Sequence, residues 1–228
     1  MLLWLIPIAA FLAGSIPFGL LIAKTKGVNI REHGSGNIGA TNVLRIVGKP
    51  YGIICLLLDF LKGFLPTLIA VSLFIISGKE IQFALSALEP FATYFPKVNA
   101  WHAQSLIILT GLLAILGHNY SPWVGFKGGK GIATSGGVLV ALMPMGVVIL
   151  LIIWAILFYT TRYVSVASMG AAAAVPFTAI YGSYRHGYIA NGTWNKPLFI
   201  FSILIAVLAI WKHRSNIKDL IDGTEHKF

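Results

Sequence analysis

The 228-residue chain is 57% hydrophobic and only 11% charged, with a mean hydropathy of +0.83. Soluble domains carry about 25% charged residues, so the composition excludes an ordinary soluble domain and indicates an integral membrane protein. The 17 Lys+Arg against 7 Asp+Glu give a net charge of +10, which in so apolar a chain fits cytoplasmic loops beside anionic lipid and an anionic substrate rather than nucleic acid.

Residues 2–23 are almost uninterruptedly apolar and long enough to cross a hydrocarbon core of ~30 Å. No basic residue precedes them, whereas Lys24 and Lys26 follow. That is the reverse of a signal-peptide layout, and predicts a retained first helix with its N-terminus outside. A second span is expected over 51–77 and a third over 103–118. The 30 residues 132–161 are too long for one comfortable crossing, and "MPMG" at 143–146 predicts a turn between two short helices. Spans six and seven are expected over 164–182 and 197–211.

Loop charge tests that count. With seven spans, the inner segments 24–50, 119–131, 162–163 and 212–228 hold Lys24, Lys26, Arg31, Arg45, Lys49, Lys127, Lys130, Arg162, Lys212, Arg214, Lys218 and Lys227. The outer segments hold only Lys79, Lys97, Arg185 and Lys196. The asymmetry follows the positive-inside rule. The expectation is an all-α integral membrane protein of one domain, 1–228, with seven transmembrane helices, an external N-terminus and a cytoplasmic C-terminus.

Three polar clusters fall on the inner side. "GSGNIGATN" (34–42) contains a literal G-x-G-x-x-G, but no strand pattern precedes it and no acidic residue closes a second strand, so a dinucleotide-binding unit is excluded. Its glycines let the backbone turn tightly and approach an anion, while Ser35, Asn37, Thr41, Asn42, Arg31 and Arg45 supply hydroxyl, amide and guanidinium groups. "FKGGKGIAT" (126–134) has the wrong glycine spacing for a Walker A loop. It offers N–H groups at a helix start, with Lys127 and Lys130 beside them. In the tail, His213 and Asn216 stand at i, i+3 on the end of the last helix and should share a face. Glu225 is expected to pair with a basic loop. Cys55 is a small core residue, and Asp59 with Lys62, inside the second span, is expected to be a buried ion pair that orients the helix.

The segments "GSIPFG" (14–19), "GSGNIGATNVLR" (34–45), "LDFLKGFLP" (58–66), "GHNYSPWVGFKGGKGIAT" (117–134), "RYVSVAS" (162–168) and "HRSNIKDLIDGTEHKF" (213–228) closely resemble the bacterial acyl-phosphate:glycerol-3-phosphate acyltransferase family. Segments 79–104 and 183–196 carry no recognisable motif. The resemblance implies an enzyme of the bacterial inner membrane, its site facing the cytoplasm. That enzyme transfers a fatty acyl group from acyl phosphate to glycerol 3-phosphate in phospholipid biosynthesis, needing no cofactor, metal or obligate protein partner. It further implies catalytic roles for Ser35, Arg45, Lys130, His213 and Asn216. Substrate contacts are implied at Gly34, Gly36, Asn37, Thr41, Asn42, Lys127, Gly128, Gly129 and Gly131, with glycerol 3-phosphate held by the second loop.

The residues agree with that chemistry. Both substrates carry phosphate, so two anion sites are needed, and an acyl phosphate is already activated, leaving the protein to position and neutralise. A His-x4-Asp dyad is absent: His33, His102, His118, His186 and His213 are followed five residues on by Ile38, Ile107, Trp123, Asn191 and Lys218. Two rivals are weaker. A transporter for a phosphorylated solute would use the same loops and the Asp59–Lys62 pair, yet no inverted repeat is seen. A CDP-alcohol phosphotransferase would need a cluster of metal-binding aspartates, and Glu32 is alone in the first inner loop.

Overall fold

The computed structural model describes residues 2–78 and 84–228. Lys79, placed above in an outer segment, lies outside them. The chain divides into two compact units, Met1–Leu142 and Met143–Phe228.

The first unit opens with α1 (Leu2–Ser15) and α2 (Phe18–Lys24). These form the expected first span, but the helix breaks at Ile16–Pro17. Proline has no N–H to continue the ladder, and carbonyls freed at membrane depth need other donors. The Ser15 carbonyl accepts from Ser121 Oγ at 2.6 Å, and the Ile16 carbonyl from Lys62 Nζ at 2.8 Å. A polar loop then leads to α3 (Ala40–Ile46) and α4 (Lys49–Leu73), the second span. Beyond it the chain is extended rather than helical: β1 (Phe74–Ile76) pairs in parallel with β2 (Thr93–Phe95). This short pair is a correction to the purely helical expectation. Phe74, Ile75 and Ile76 are aromatic and β-branched residues suited to such a pairing.

α5 (Ala100–Asn119) is the third span and α6 (Ile132–Leu142) ends the unit. α1 packs on α5, and α4 on α6. Small residues make both approaches possible, as they do between helices that have no water to escape. A Cβ on Gly14 would overlap the Ala114 carbonyl of α5, and one on Gly63 the Thr134 carbonyl of α6.

The second unit contains α7 (Pro144–Thr161), α8 (Val164–Arg185), α9 (Lys196–Lys212) and α10 (Arg214–Ile221). The two helices expected within 132–161 are present as α6 and α7, but only Met143 between them is non-helical, so the break is narrower than 143–146. Pro144 stands at the first position of α7, where a missing N–H costs nothing, and Gly146 is already helical. α8 packs against both α7 and α9. Among the described residues, five helical stretches are long and apolar enough to cross a membrane, or six if α9 and α10 count as one bent span.

Candidate active site

The first glycine-rich loop is built around one buried side chain. Asn42, 2% exposed in the first turns of α3, donates Nδ2 to the carbonyls of Ile30, His33 and Asn37 at 3.3, 3.1 and 2.9 Å. Its Oδ1 accepts from the Ser35 amide at 3.2 Å. One amide side chain therefore gathers four points of the loop, so Asn42 faces inward and organises it. Gly34 and Gly36 have φ of +58° and +65°, and a Cβ on Gly34 would overlap Asn42 Oδ1. Here glycine is required both by conformation and by space. Asn37 Oδ1 accepts from the Gly39 amide at 2.8 Å, turning the chain into α3.

That construction leaves Ser35 exposed at the crest of the loop, and Thr41 and Arg45 half-buried one helical turn apart on α3. Beneath lies a small apolar core of Ala23, Ile30, Ile38, Val43 and Cys55, all buried. Val124, from the approach to the second loop, packs against the same core.

The second loop sits on the last turn of α5. The Gly128 and Gly129 amides donate to the carbonyls of Asn119 and His118, both at 3.2 Å. A Cβ on Gly128 would overlap the His118 carbonyl, on Gly129 the His118 ring at Nε2, and on Gly131 Asn119 Oδ1. The three glycines thus serve close packing, and the first two amides close the loop on itself. Gly131 has φ +80°. Lys130, between two buried glycines, is half-buried, and Lys127 is exposed.

The two loops are joined directly. Arg31 Nη2 donates to the Lys127 carbonyl at 2.7 Å. The loop that carries Ser35 is thereby tied to the loop that carries Lys127 and Lys130. The sequence reading treated Arg31 only as added charge and missed this contact.

Below the second loop lies a buried polar chain. Asp59 Oδ1 is 2.8 Å from Lys62 Nζ, the ion pair expected from the sequence, and 3.5 Å from His118 Nδ1. Cys55 Sγ, buried as expected, lies 3.7 Å from Asp59 Oδ2. The dyad sought at four-residue spacing is absent, yet an aspartate and a histidine do meet, 59 residues apart in the chain. The available signal was "GHN" at 117–119, six residues before the glycine-rich segment 126–134.

His213 and Asn216 lie in the second unit. They do not share one straight helix, because α9 and α10 are bent by 51° at His213, which corrects the i, i+3 expectation. His213 is 3% exposed and its Nδ1 lies 2.8 Å from the Ala209 carbonyl, so that nitrogen is the donor. Asn216 Nδ2 donates to both oxygens of Glu225, at 2.8 and 2.9 Å. Glu225 therefore pairs with Asn216 rather than with a basic loop. The tail continues back to the α7–α8 turn, where the Phe228 amide donates to the Arg162 carbonyl at 3.0 Å and Lys227 lies over the Tyr163 ring.

Comparison with known proteins gives concordant matches. The family model described as "Glycerol-3-phosphate acyltransferase" matches residues 4–223. A glycerol-3-phosphate acyltransferase of Aquifex aeolicus is 40% identical over 221 residues, covering 97% of this chain and 96% of its own. One of Geotalea daltonii is 42% identical, covering 97% and 95%. Among solved structures, the glycerol 3-phosphate form of PlsY (YgiH), an integral membrane glycerol 3-phosphate acyltransferase, superposes with a TM-score of 0.77 at 38% identity, over 100% of this chain and 96% of that one. The lysophosphatidic acid form of the same protein gives 0.73 at 37%.

Proposed function

Since this chain belongs to the glycerol-3-phosphate acyltransferase family, we propose that it transfers a fatty acyl group from acyl phosphate to the 1-hydroxyl of glycerol 3-phosphate. The products are 1-acylglycerol 3-phosphate and inorganic phosphate. The observation that supports this reading is the Arg31–Lys127 bond, which ties two glycine-rich loops with basic residues together, as a reaction between two phosphate-bearing substrates needs.

The C1 oxygen of glycerol 3-phosphate attacks the acyl carbonyl carbon, the C–O bond to phosphate breaks, and phosphate leaves. Two anions brought together repel, so the work of the site is to neutralise and align them. In this reading Ser35, Thr41 and Arg45 hold phosphate oxygens at the first loop. At the second loop Lys127 and Lys130 hold glycerol 3-phosphate, and Lys130 neutralises charge as the tetrahedral intermediate forms. The amides of Gly128 and Gly129 already bind backbone carbonyls, so side-chain charge carries recognition there. Gly34, Gly36, Asn37 and Asn42 shape the first loop, as Gly128, Gly129 and Gly131 shape the second. His213 and Asn216 are included on the resemblance of the tail motif. A substrate phosphate oxygen takes the hydroxyl proton.

The site faces the cytoplasm of a bacterial inner membrane, supported by the twelve basic residues of the predicted inner segments against four outside. Seven crossings, with the N-terminus outside, require α6 as one. Its 11 residues reach roughly 16 Å at 1.5 Å per residue, a short crossing.

The test uses purified protein with palmitoyl phosphate and glycerol 3-phosphate, reading released phosphate, with palmitoyl-CoA in parallel. Release that needs both substrates and disappears in Ser35→Ala and Lys130→Ala supports the reading. Turnover with palmitoyl-CoA instead would overturn the donor. Flux of a phosphorylated solute into liposomes without turnover would favour transport.

A further inference from the structure

His118 is part of no assigned site, yet it touches both the buried ion pair and the second glycine loop. It is 5% exposed, on the last turn of α5, with Nδ1 facing Asp59 Oδ1. The opposite edge of its ring, at Nε2, lies directly under the α-carbon of Gly129, in the space a Cβ there would occupy. Its own carbonyl accepts the Gly129 amide. The residue therefore grips the loop twice, by ring and by backbone, one position before Lys130.

The grip is referenced to the rest of the unit. Asp59 is held by Lys62, and Lys62 reaches the Ile16 carbonyl at the break between α1 and α2 and lies over the Phe18 ring. A rigid line runs from the first span through α4 to the ring of His118, and from there to the loop. A side chain used merely to fill space would not need a carboxylate on its far nitrogen. A carboxylate 3.5 Å from Nδ1 favours this orientation of the ring electrostatically, and with it the height at which Gly129 rests.

We propose that His118, oriented by Asp59, is a positioning residue for glycerol 3-phosphate binding, acting by setting the 127–131 loop and hence Lys130. The proposal rests on the assignment of that loop to glycerol 3-phosphate.

The test is a kinetic double-mutant cycle on His118→Ala and Gly129→Ala. Wild-type turnover requiring both substrates is measured first, and its absence would refute the proposed donor and acceptor rather than the role of His118. Each single variant should raise KM for glycerol 3-phosphate about tenfold, with KM for palmitoyl phosphate little changed. The atoms nearest to a Gly129 Cβ all belong to the His118 ring, so removing the ring makes room for the methyl. The double variant should then show about the same tenfold rise, whereas independent effects would multiply to about a hundredfold. A hundredfold rise, or a parallel rise in KM for both substrates, overturns the proposal. If His118→Ala does not purify folded, His118→Asn keeps a donor near Nδ1 while opening the space under Gly129, and the same cycle decides.

Discussion

Arg31 Nη2 and the Lys127 carbonyl oxygen are 2.7 Å apart, a contact that closes 96 residues of chain and ties the two glycine-rich loops together. A charged donor on a carbonyl is among the stronger hydrogen bonds, but partial exposure weakens it. Arg31→Ala should therefore lower kcat/KM for the acyl transfer about tenfold while leaving the unfolding midpoint in detergent nearly unchanged. Arg31→Lys should recover only part of the loss, since lysine lacks the planar fork. Steady-state phosphate release and a thermal scan on the three proteins check both statements.

Asn42 gives the opposite signature. Its substitution by alanine strands the buried Ile30 carbonyl and the part-buried His33 and Asn37 carbonyls and Ser35 amide, at a cost of about 1–3 kcal/mol for the unsatisfied groups. Asn42→Asp should be worse, because it aims carboxylate oxygen at three carbonyl oxygens. Stability and activity should fall together in both. An Asn42→Asp enzyme with wild-type stability would contradict the organising role.

The Asp59–Lys62 pair is buried, with both residues at most 6% exposed. Removing one partner leaves a charge unpaired away from water, and Lys62→Met should destabilise by about 3–5 kcal/mol. The combination Asp59→Asn with Lys62→Met should be markedly less damaging than Lys62→Met alone, because no net charge stays buried. Thermal unfolding of the single and double variants in one detergent measures the difference.

In the tail, Asn216 Nδ2 bridges both oxygens of Glu225. Asn216→Asp sets a second carboxylate against the first. At pH 7 it should cost about 1–3 kcal/mol and release the segment after Gly223 to limited proteolysis. Glu225→Gln, which retains one acceptor oxygen, should release it less. Equal protease resistance in wild type and both variants would separate the tail from this contact.

Much of the fold was legible in the residues alone. The expected spans at 51–77, 103–118, 164–182 and 197–211 meet α4, α5, α8 and α9 to within a few residues at most ends. Burial in lipid is summed residue by residue, and a backbone there must satisfy its own hydrogen bonds, so a long apolar run already implies a helix. The misses are of another kind. Phe74–Ile76 suit a strand by their own composition, but pairing with Thr93–Phe95 needs a partner that is remote in the chain.

The glycines show the division most clearly. Sequence by itself determined that residues 34–39 and 128–131 are glycine-rich with basic residues in or beside them, and that an apolar, positively charged membrane protein carries them. Only tertiary structure decided what the glycines are for: room for Asn42 Oδ1 beside Gly34, and for the His118 ring beneath Gly129. It also decided that Asp59 meets His118, and that Arg31 meets Lys127. Hydropathy and charge are local sums that survive in any order of packing. Which side chain faces which depends on how each helix is rotated and seated against its neighbours, and that is fixed only when all of them have closed.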